Sequence, residues 1–291
     1  MKRILIGALL SICFLYTTAQ KKTDSNFSFV LMSDIHVKPE VSKEFQKVID
    51  SVNRIKPDFV MAAGDLVFDV MRGNPPAADS LFRLYKSMSA KFSSKVYNCI
   101  GNHELFGIYP ESDVDSSHPD YKWGMFERYL GKTFYSFDHK GWHFIVLNSI
   151  DVTPEKKYIG IIGKEQVEWL KKDLANVKPE TPVAVTVHIP FLSTFDQRYK
   201  EINVTGKEPH GTLISNRKEV LDLFDGHNLR LVMQGHIHWI EDIFINNKTH
   251  FITAGSVAGR PSWKGTKFGE RGFMKIEIKG EEVSAKYMPC K

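Results

Sequence analysis

The sequence predicts one α/β domain built on two sheets, with parallel and antiparallel strands mixed. Three observations predict it. Short apolar, β-branched runs recur along the 291 residues. Over the first hundred residues these runs alternate with helical patterns, as the crossovers of a parallel sheet require. In the second half they come in close pairs across short turns, which is the pattern of hairpins. The chain shows no internal repeat and no linker-like stretch that would divide it.

The elements follow in order. Phe27–Met32 reads as a strand, and Val41–Ile55 as a helix with Val41, Phe45, Val48, Ile49 and Val52 at helical spacing. Phe59–Ala63, Ala78–Phe92 and Val96–Ile100 complete a strand, helix, strand alternation. Gly107–Asp120 is polar and rich in Pro and Ser, a long surface loop. Thr133–Asp138 and Trp142–Asn148 form a hairpin around His139-Lys140-Gly141. Lys164–Asn176 reads as a helix, and Val183–Val187 as a buried strand. Phe191–Ser215 is a second long loop, followed by a short helix over Asn216–Phe224 with Asn216 as its expected N-cap. Leu229–Met233, a hairpin from Ile243–Ile245 to His250–Thr253, and a hairpin from Phe273–Ile278 to Val283–Tyr287 close the chain.

Hydrophobic residues make up 42% and aromatics 12%, enough to build a sizeable core and to exclude a disordered chain. Three cysteines exclude a disulfide scaffold. Lys2-Arg3 followed by the apolar run Ile4–Tyr16 and then Thr17-Thr18-Ala19 reads as a signal peptide over residues 1–19, with residues 20–291 as the domain. The run is short for a bilayer span. A lipid anchor on Cys13 is disfavoured by the bulky Ile12 before it. The expected location is therefore the periplasm or the medium, with an uncleaved anchor as the alternative. Cleavage removes Lys2 and Arg3 and lowers the net charge from +5 to +3. With no block of like charge, no nucleic-acid groove or membrane surface is expected. Cys99 and Cys290 remain, and they read as two separate thiols.

The chemistry lies where the strands end. The first three strands run into Ser33-Asp34-Ile35-His36, Gly64-Asp65 and Gly101-Asn102-His103-Glu104. The strand at 183–187 ends at His188, and that at 229–233 runs into Gly235-His236-Ile237-His238. In an α/β sheet the C-terminal strand edge is where ligand sites form. Taken singly, each residue has a plainer reading: Asp34 as a helix cap, Asp65 as a turn residue, His188 as a core histidine. Taken together, five of the 11 histidines fall within these five motifs. Four imidazoles (His36, His188, His236, His238), two carboxylates (Asp34, Asp65) and the Asn102 amide oxygen are too many for one tetrahedral zinc. They suit two divalent ions sharing a bridging carboxylate. The D-x-H and H-x-H spacings are expected to present alternate residues of extended chain on one side. The glycines before Asp65, Asn102 and His236 are expected to make sharp turns.

These blocks, in this order, resemble those of the calcineurin-like metallophosphoesterases, and the resemblance runs from Phe27 to Tyr287. It implies a two-sheet α/β/β/α sandwich. It implies one metal held by Asp34, His36, Asp65 and His238, and another by Asp65, Asn102, His188 and His236, with Asp65 as the bridge. Tyr135-Ser136-Phe137, His143–Ser149 and Glu165–Leu170 look like the branch that contains bacterial class III cyclic-nucleotide phosphodiesterases and related single-domain phosphatases. Two departures exclude purple acid phosphatases, which carry glycine where His36 stands and tyrosine where Phe68 stands. The resemblance therefore implies no tyrosinate ligand and no purple band.

The implied reaction is hydrolysis of a phosphomonoester or phosphodiester. Two cations would clamp the phosphoryl oxygens and lower the pKa of a water between them, giving a hydroxide that attacks phosphorus in line. His103, beside Asn102 but outside the ligand set, is expected to stabilise charge and protonate the leaving oxygen. Glu104 or Asp34 is expected to orient it from behind. Arg260 and Lys264, in the Gly259–Gly265 loop with Trp263, are candidates to grip substrate, as is His210 in the second long loop. Trp123 and Tyr109 are candidate rim residues. Mn, Fe or Zn all suit the donor set. The competing reading is a metal-dependent binding or scavenging protein on the same fold. It is opposed by the presence of all seven ligand positions together with His103. Within the enzyme class, a phosphomonoesterase acting on phosphoproteins or nucleotides stands beside a broad phosphodiesterase.

Overall fold

The computed structural model describes residues 25–195, 211–258 and 270–290. The expected signal segment, His210, Arg260 and Lys264 lie outside the described residues. Two large sheets carry the fold. The first has the order β13-β12-β1-β2-β3. Here β1 (Asn26–Met32), β2 (Phe59–Ala63) and β3 (Lys95–Cys99) run parallel, and the hairpin of β12 (Gly272–Lys279) and β13 (Glu282–Pro289) adds on antiparallel. The second has the order β10-β11-β9-β8-β5-β4. In it β5 (Trp142–Val146), β8 (Pro182–Thr186), β9 (Asn228–Gln234) and β11 (Thr249–Thr253) are parallel neighbours. The edges β4 (Tyr135–His139) and β10 (Glu241–Ile245) are antiparallel.

Strand alternation sorts side chains into layers. Phe29, Leu31, Phe59 and Met61 join Phe144, Val146, Leu231 and Met233 between the sheets. Phe29 and Phe59 stack at 4.6 Å, and Phe144 meets Phe59 edge-on at 5.2 Å. Their neighbours Val30, Met32 and Val60 join Phe45 and Val48 of α1 (Ser42–Ile55) and Phe82 of α2 (Pro75–Ser89). On the other sheet, Val183 and Val185 join Leu170 of α4 (Lys164–Leu174) and Val220 of α5 (Arg217–Asp222). The result is the expected α/β/β/α sandwich. Burial of both strand faces is why these strands read as unbroken apolar runs.

Several boundaries and elements differ from the sequence expectation. Helix α2 starts three residues early, because Asn74 caps it by accepting Ala77 N–H at 3.0 Å and Pro75-Pro76 fill the first turn. A helix α3 (Gly124–Leu130) and the short pair β6 (Ile150–Val152) and β7 (Tyr158–Gly160) were not expected; at three to seven residues they are too short to show a period. The 107–120 loop is tied down, with Ser112 Oγ bonded to Gly107 O at 2.8 Å and Tyr109 N to Met71 O at 3.1 Å. Asn216 does not cap its own helix with its side chain. Its amide instead pairs with both backbone groups of Ile162, at 3.0 Å each. Cys99 and Cys290 are both free thiols.

Candidate metal centre

The C-terminal ends of β1, β2, β3, β8 and β9 meet at one place. Backbone bonds stitch them together: Asp34 N to Gly64 O, His36 N to Asp65 O and Gly235 N to His188 O, at 2.9–3.0 Å. Asp34, His36, Asp65, Asn102, His188 and His236 are all buried there, and His238 is nearly so. The structure brings all seven expected ligand residues together.

Asp65 stands at the middle. Its Oδ2 lies 3.2 Å from His188 Nε2, 3.8 Å from His36 Nε2 and 3.8 Å from His103 Nε2. Its Oδ1 accepts the His103 backbone N–H at 2.9 Å. On one side, Asp34 Oδ1 lies 3.2 Å from His238 Nε2, which is itself 3.2 Å from His36 Nε2. On the other, His188 Nε2 lies 3.2 Å from Asn102 Oδ1, and the His188 and His236 rings are 5.1 Å apart. The donor atoms fall into three groups, each within 4.8 Å: Asp34, His36 and His238; His36, Asp65 and His103; and Asp65, His188 and His236. Among the described residues, buried Asp34 Oδ1 has no hydrogen-bond partner, while Oδ2 accepts His236 N–H at 3.0 Å. A bare buried carboxylate oxygen facing imidazole nitrogens costs free energy unless a cation takes it. The donor set therefore fits divalent ions.

The local backbone does not follow the expected alternation. Asp34, His36, Asp65, His236 and His238 all have left-handed φ, from 50° to 74°. These five are among only twelve such non-glycine residues described, so the turns concentrate here. Each costs roughly 1–3 kcal/mol, the kind of strain that folds keep at functional sites. The D-x-H and H-x-H pairs thus converge through paired left-handed turns, not through extended chain. Of the three glycines, only Gly64 turns in that region, at φ +88°. Gly101 and Gly235 are instead needed for close approach: a Cβ on Gly101 would meet Asp65 backbone, and one on Gly235 would meet Ser33 Oγ.

Glu104 is fully buried and clamps the strand ends. It accepts N–H groups from Gly101 (2.7 Å), Asp65 (3.0 Å) and Val67 (2.9 Å). Burial and the Asp65 charge push its carboxyl up to about 8, against the pull of those donors. It supports Asp65 through the backbone. The His103 ring is instead held by the Phe68 carbonyl, which bonds Nδ1. That replaces the expectation that Glu104 or Asp34 orients it. His103 is also the most exposed member of the group, with 26% of its side chain open.

Burial disfavours charge on His36 and His236 and holds them at about 4 and about 3, so both are neutral and ready to donate. Burial also opposes charge on His188, but the Asp65 carboxylate overrides it and raises the ring to about 9. Asp65 is held well below the usual carboxylate range; burial works against its charge, and His188 and His103 outweigh that. Sequence reasoning missed two neighbours. The Gly211 carbonyl bonds His236 Nε2 at 2.8 Å, and the Tyr158 ring stands 6.0 Å from the His236 ring. Neither carries a motif, because one acts through backbone and the other sits on a three-residue strand.

Fold and site together define a two-sheet α/β protein whose strand ends gather an oxygen and imidazole centre sized for two divalent ions. The chain belongs to the calcineurin-like phosphoesterase family, whose model matches residues 27–239. A metallophosphoesterase-named protein of Caenorhabditis elegans is 34% identical over 85 residues, which is 29% of this chain and 16% of that one. Purple acid phosphatase 7 of Arabidopsis thaliana is 23% identical over 278 residues, or 89% of this chain and 78% of that one. The chain spans 16% and 28% of the first two curated relatives that it matches. Among solved structures, a dimetal phosphatase from Danio rerio has the same fold, with TM-score 0.63, 15% identity, and coverage of 92% of this chain and 98% of that one.

Proposed function

We propose that this chain is an exported two-metal hydrolase of phosphate esters. The observation that carries the reading is the Asp65 carboxylate, which two of the donor groups share. In this reading Asp34, His36, Asp65 and His238 hold one ion, and Asp65, Asn102, His188 and His236 hold the other. The Ala63 carbonyl accepts from His188 Nδ1 at 2.8 Å, which leaves Nε2 as the ligand atom. The Gly211 carbonyl takes His236 Nε2, which leaves Nδ1.

When bound, the two ions supply charge to clamp phosphoryl oxygens and to acidify a water. The protein does the rest. Asp65 keeps both halves of the centre at a fixed spacing. Phe68 O accepts from His103 Nδ1–H and turns Nε2 toward the centre, from which the doubly protonated ring gives a proton to a leaving oxygen. Phe68 itself is 45% exposed beside that histidine and carries Lys38 Nζ 4.0 Å above its ring, so an aromatic face and an ammonium border the entrance. These support esters with an anionic or aromatic leaving portion. Export rests on Lys2-Arg3 and the apolar run after it. Among the described residues no helix is long and apolar enough to cross a membrane.

The test uses protein stripped of metal and assayed on chromogenic phosphomonoester and phosphodiester substrates with Mn, Fe, Zn or none added. Turnover restored by metal and lost in Asp65→Asn supports the reading, and the monoester-to-diester ratio assigns the substrate class. Tight binding of two ions with no turnover of either ester favours a binding protein instead.

A further inference from the structure

A cavity of about 570 Å³ lies at the β4 and β5 edge of the second sheet, beside α3 and α4. No residue of the metal centre lines it. Its volume falls in the range of small-molecule sites. Aromatic side chains line it: Phe134 and Trp169 pack edge to face with ring centroids 5.2 Å apart, and Trp123 has one face covered by Lys122 Nζ at 3.6 Å. Along α4, Glu165, Trp169 and Asp173 follow at four-residue steps, so one helix face presents carboxylate, indole and carboxylate to it.

The polar groups divide into committed and uncommitted. Asp173 accepts from Ser136 Oγ at 2.7 Å and from His143 Nε2 at 2.9 Å, and Asp151 pairs with Lys122. Asn148 is only 7% exposed and rigidly held. Gln166 grips both of its backbone groups at 2.7 Å, and its own Oδ1 accepts Ile150 N–H at 3.0 Å. That fixes the amide orientation and leaves Nδ2 without a hydrogen bond among the described residues. Likewise, among the described residues, the Glu127 and Glu165 carboxylates, the Lys132 ammonium and both indole N–H groups make no hydrogen bond or ion pair. The cavity therefore offers uncommitted donors and acceptors together, among aromatic side chains.

An anion would meet the carboxylates. An amine would satisfy the carboxylates and leave Asn148 Nδ2 and the indoles unanswered. A ligand whose ring faces are apolar and whose rim both donates and accepts meets every group. We propose that this cavity is a carbohydrate site that takes a neutral sugar of one or two pyranose rings.

The test is titration calorimetry with tryptophan fluorescence on the full metal-loaded chain. The probes are glucose, galactose, mannose, N-acetylglucosamine and their β-1,4-linked dimers, with spermidine as the cationic comparison. At least one sugar is expected to bind saturably at millimolar concentration or below. Glu165→Gln, at an exposed helix position that tolerates the change, and Trp169→Leu should each weaken binding by about tenfold or more. Asp65→Asn should leave it unchanged, which separates this site from the metal centre. Thermal unfolding checks that the variants are folded. Failure of every sugar to bind, binding of spermidine in their place, or folded variants that bind like wild type would each overturn the proposal.

Discussion

Gly64→Ala isolates the contribution of one strand end to the metal centre. Two costs add at this position. The backbone has φ +88°, and an alanine forced into left-handed conformation costs about 1–2 kcal/mol. The new Cβ would also stand 2.5 Å from His188 Nδ1 and 2.6 Å from its Cγ, so the imidazole must move. Moving it breaks the 2.8 Å bond to Ala63 O, worth about 0.5–1.5 kcal/mol. The expected total is about 1.5–3.5 kcal/mol, with loss of the ion that His188 would ligate. Gly226→Ala is the control, with φ +86° and nothing within 4 Å of its Cβ. It should lose only the backbone part, about 1–2 kcal/mol. Urea unfolding of the metal-free variants measures the stability difference, and metal analysis after desalting counts bound ions. Gly64→Ala should hold one ion per chain and Gly226→Ala two. Equal stability losses in the two variants, or two ions retained in Gly64→Ala, would refute the reasoning.

Three further outcomes are expected. His103→Ala should keep both ions, because its side chain is outside the proposed ligand set, while kcat falls by about 10²–10⁴-fold; metal content and steady-state rates measured on one preparation check this. In His143, burial opposes charge, but Asp173 at 2.9 Å and Asp138 at 2.7 Å outweigh it and raise the ring above its usual value. Its stabilisation is therefore complete below about pH 6.5 and fades as pH rises past the folded-state value. Urea unfolding should accordingly show a wild-type advantage over His143→Gln of about 1–3 kcal/mol near pH 6, with a smaller gap near pH 9. Iron-loaded protein should show no tyrosinate charge-transfer band in its visible spectrum, because Phe68 stands where such a ligand would come from; a strong purple band would contradict the ligand set.

Much of this was legible in the sequence, for identifiable reasons. Strands buried on both faces, such as Phe59–Ala63, are continuous apolar runs, and the structure gives that strand the same ends. The ligands sit immediately after such runs, so their clustering followed from the strand ends alone. How they converge was not legible. Left-handed turns at Asp34 and His36 are imposed by cross-strand bonds to Gly64 O and Asp65 O, and such long-range constraints leave no periodic trace. The partner of the His103 ring is a backbone carbonyl, which no side-chain motif can reveal. The Gly101-Asn102-His103-Glu104 block marks Glu104 as a supporting residue, but its three backbone contacts depend on strands β2 and β3 meeting in register. Helix α3 has seven residues, too few to show a period, and only Met125 and Phe126 are buried from it.

The central claim is that Asp65 lies between two ions. Crystals of the manganese-loaded protein, measured for anomalous scattering, test it most directly. Two peaks about 3.5–4 Å apart are expected, with the Asp65 carboxylate reaching both. Asp34, His36 and His238 should surround one, and Asn102, His188 and His236 the other. A single peak, or peaks away from Asp65, would contradict the assignment.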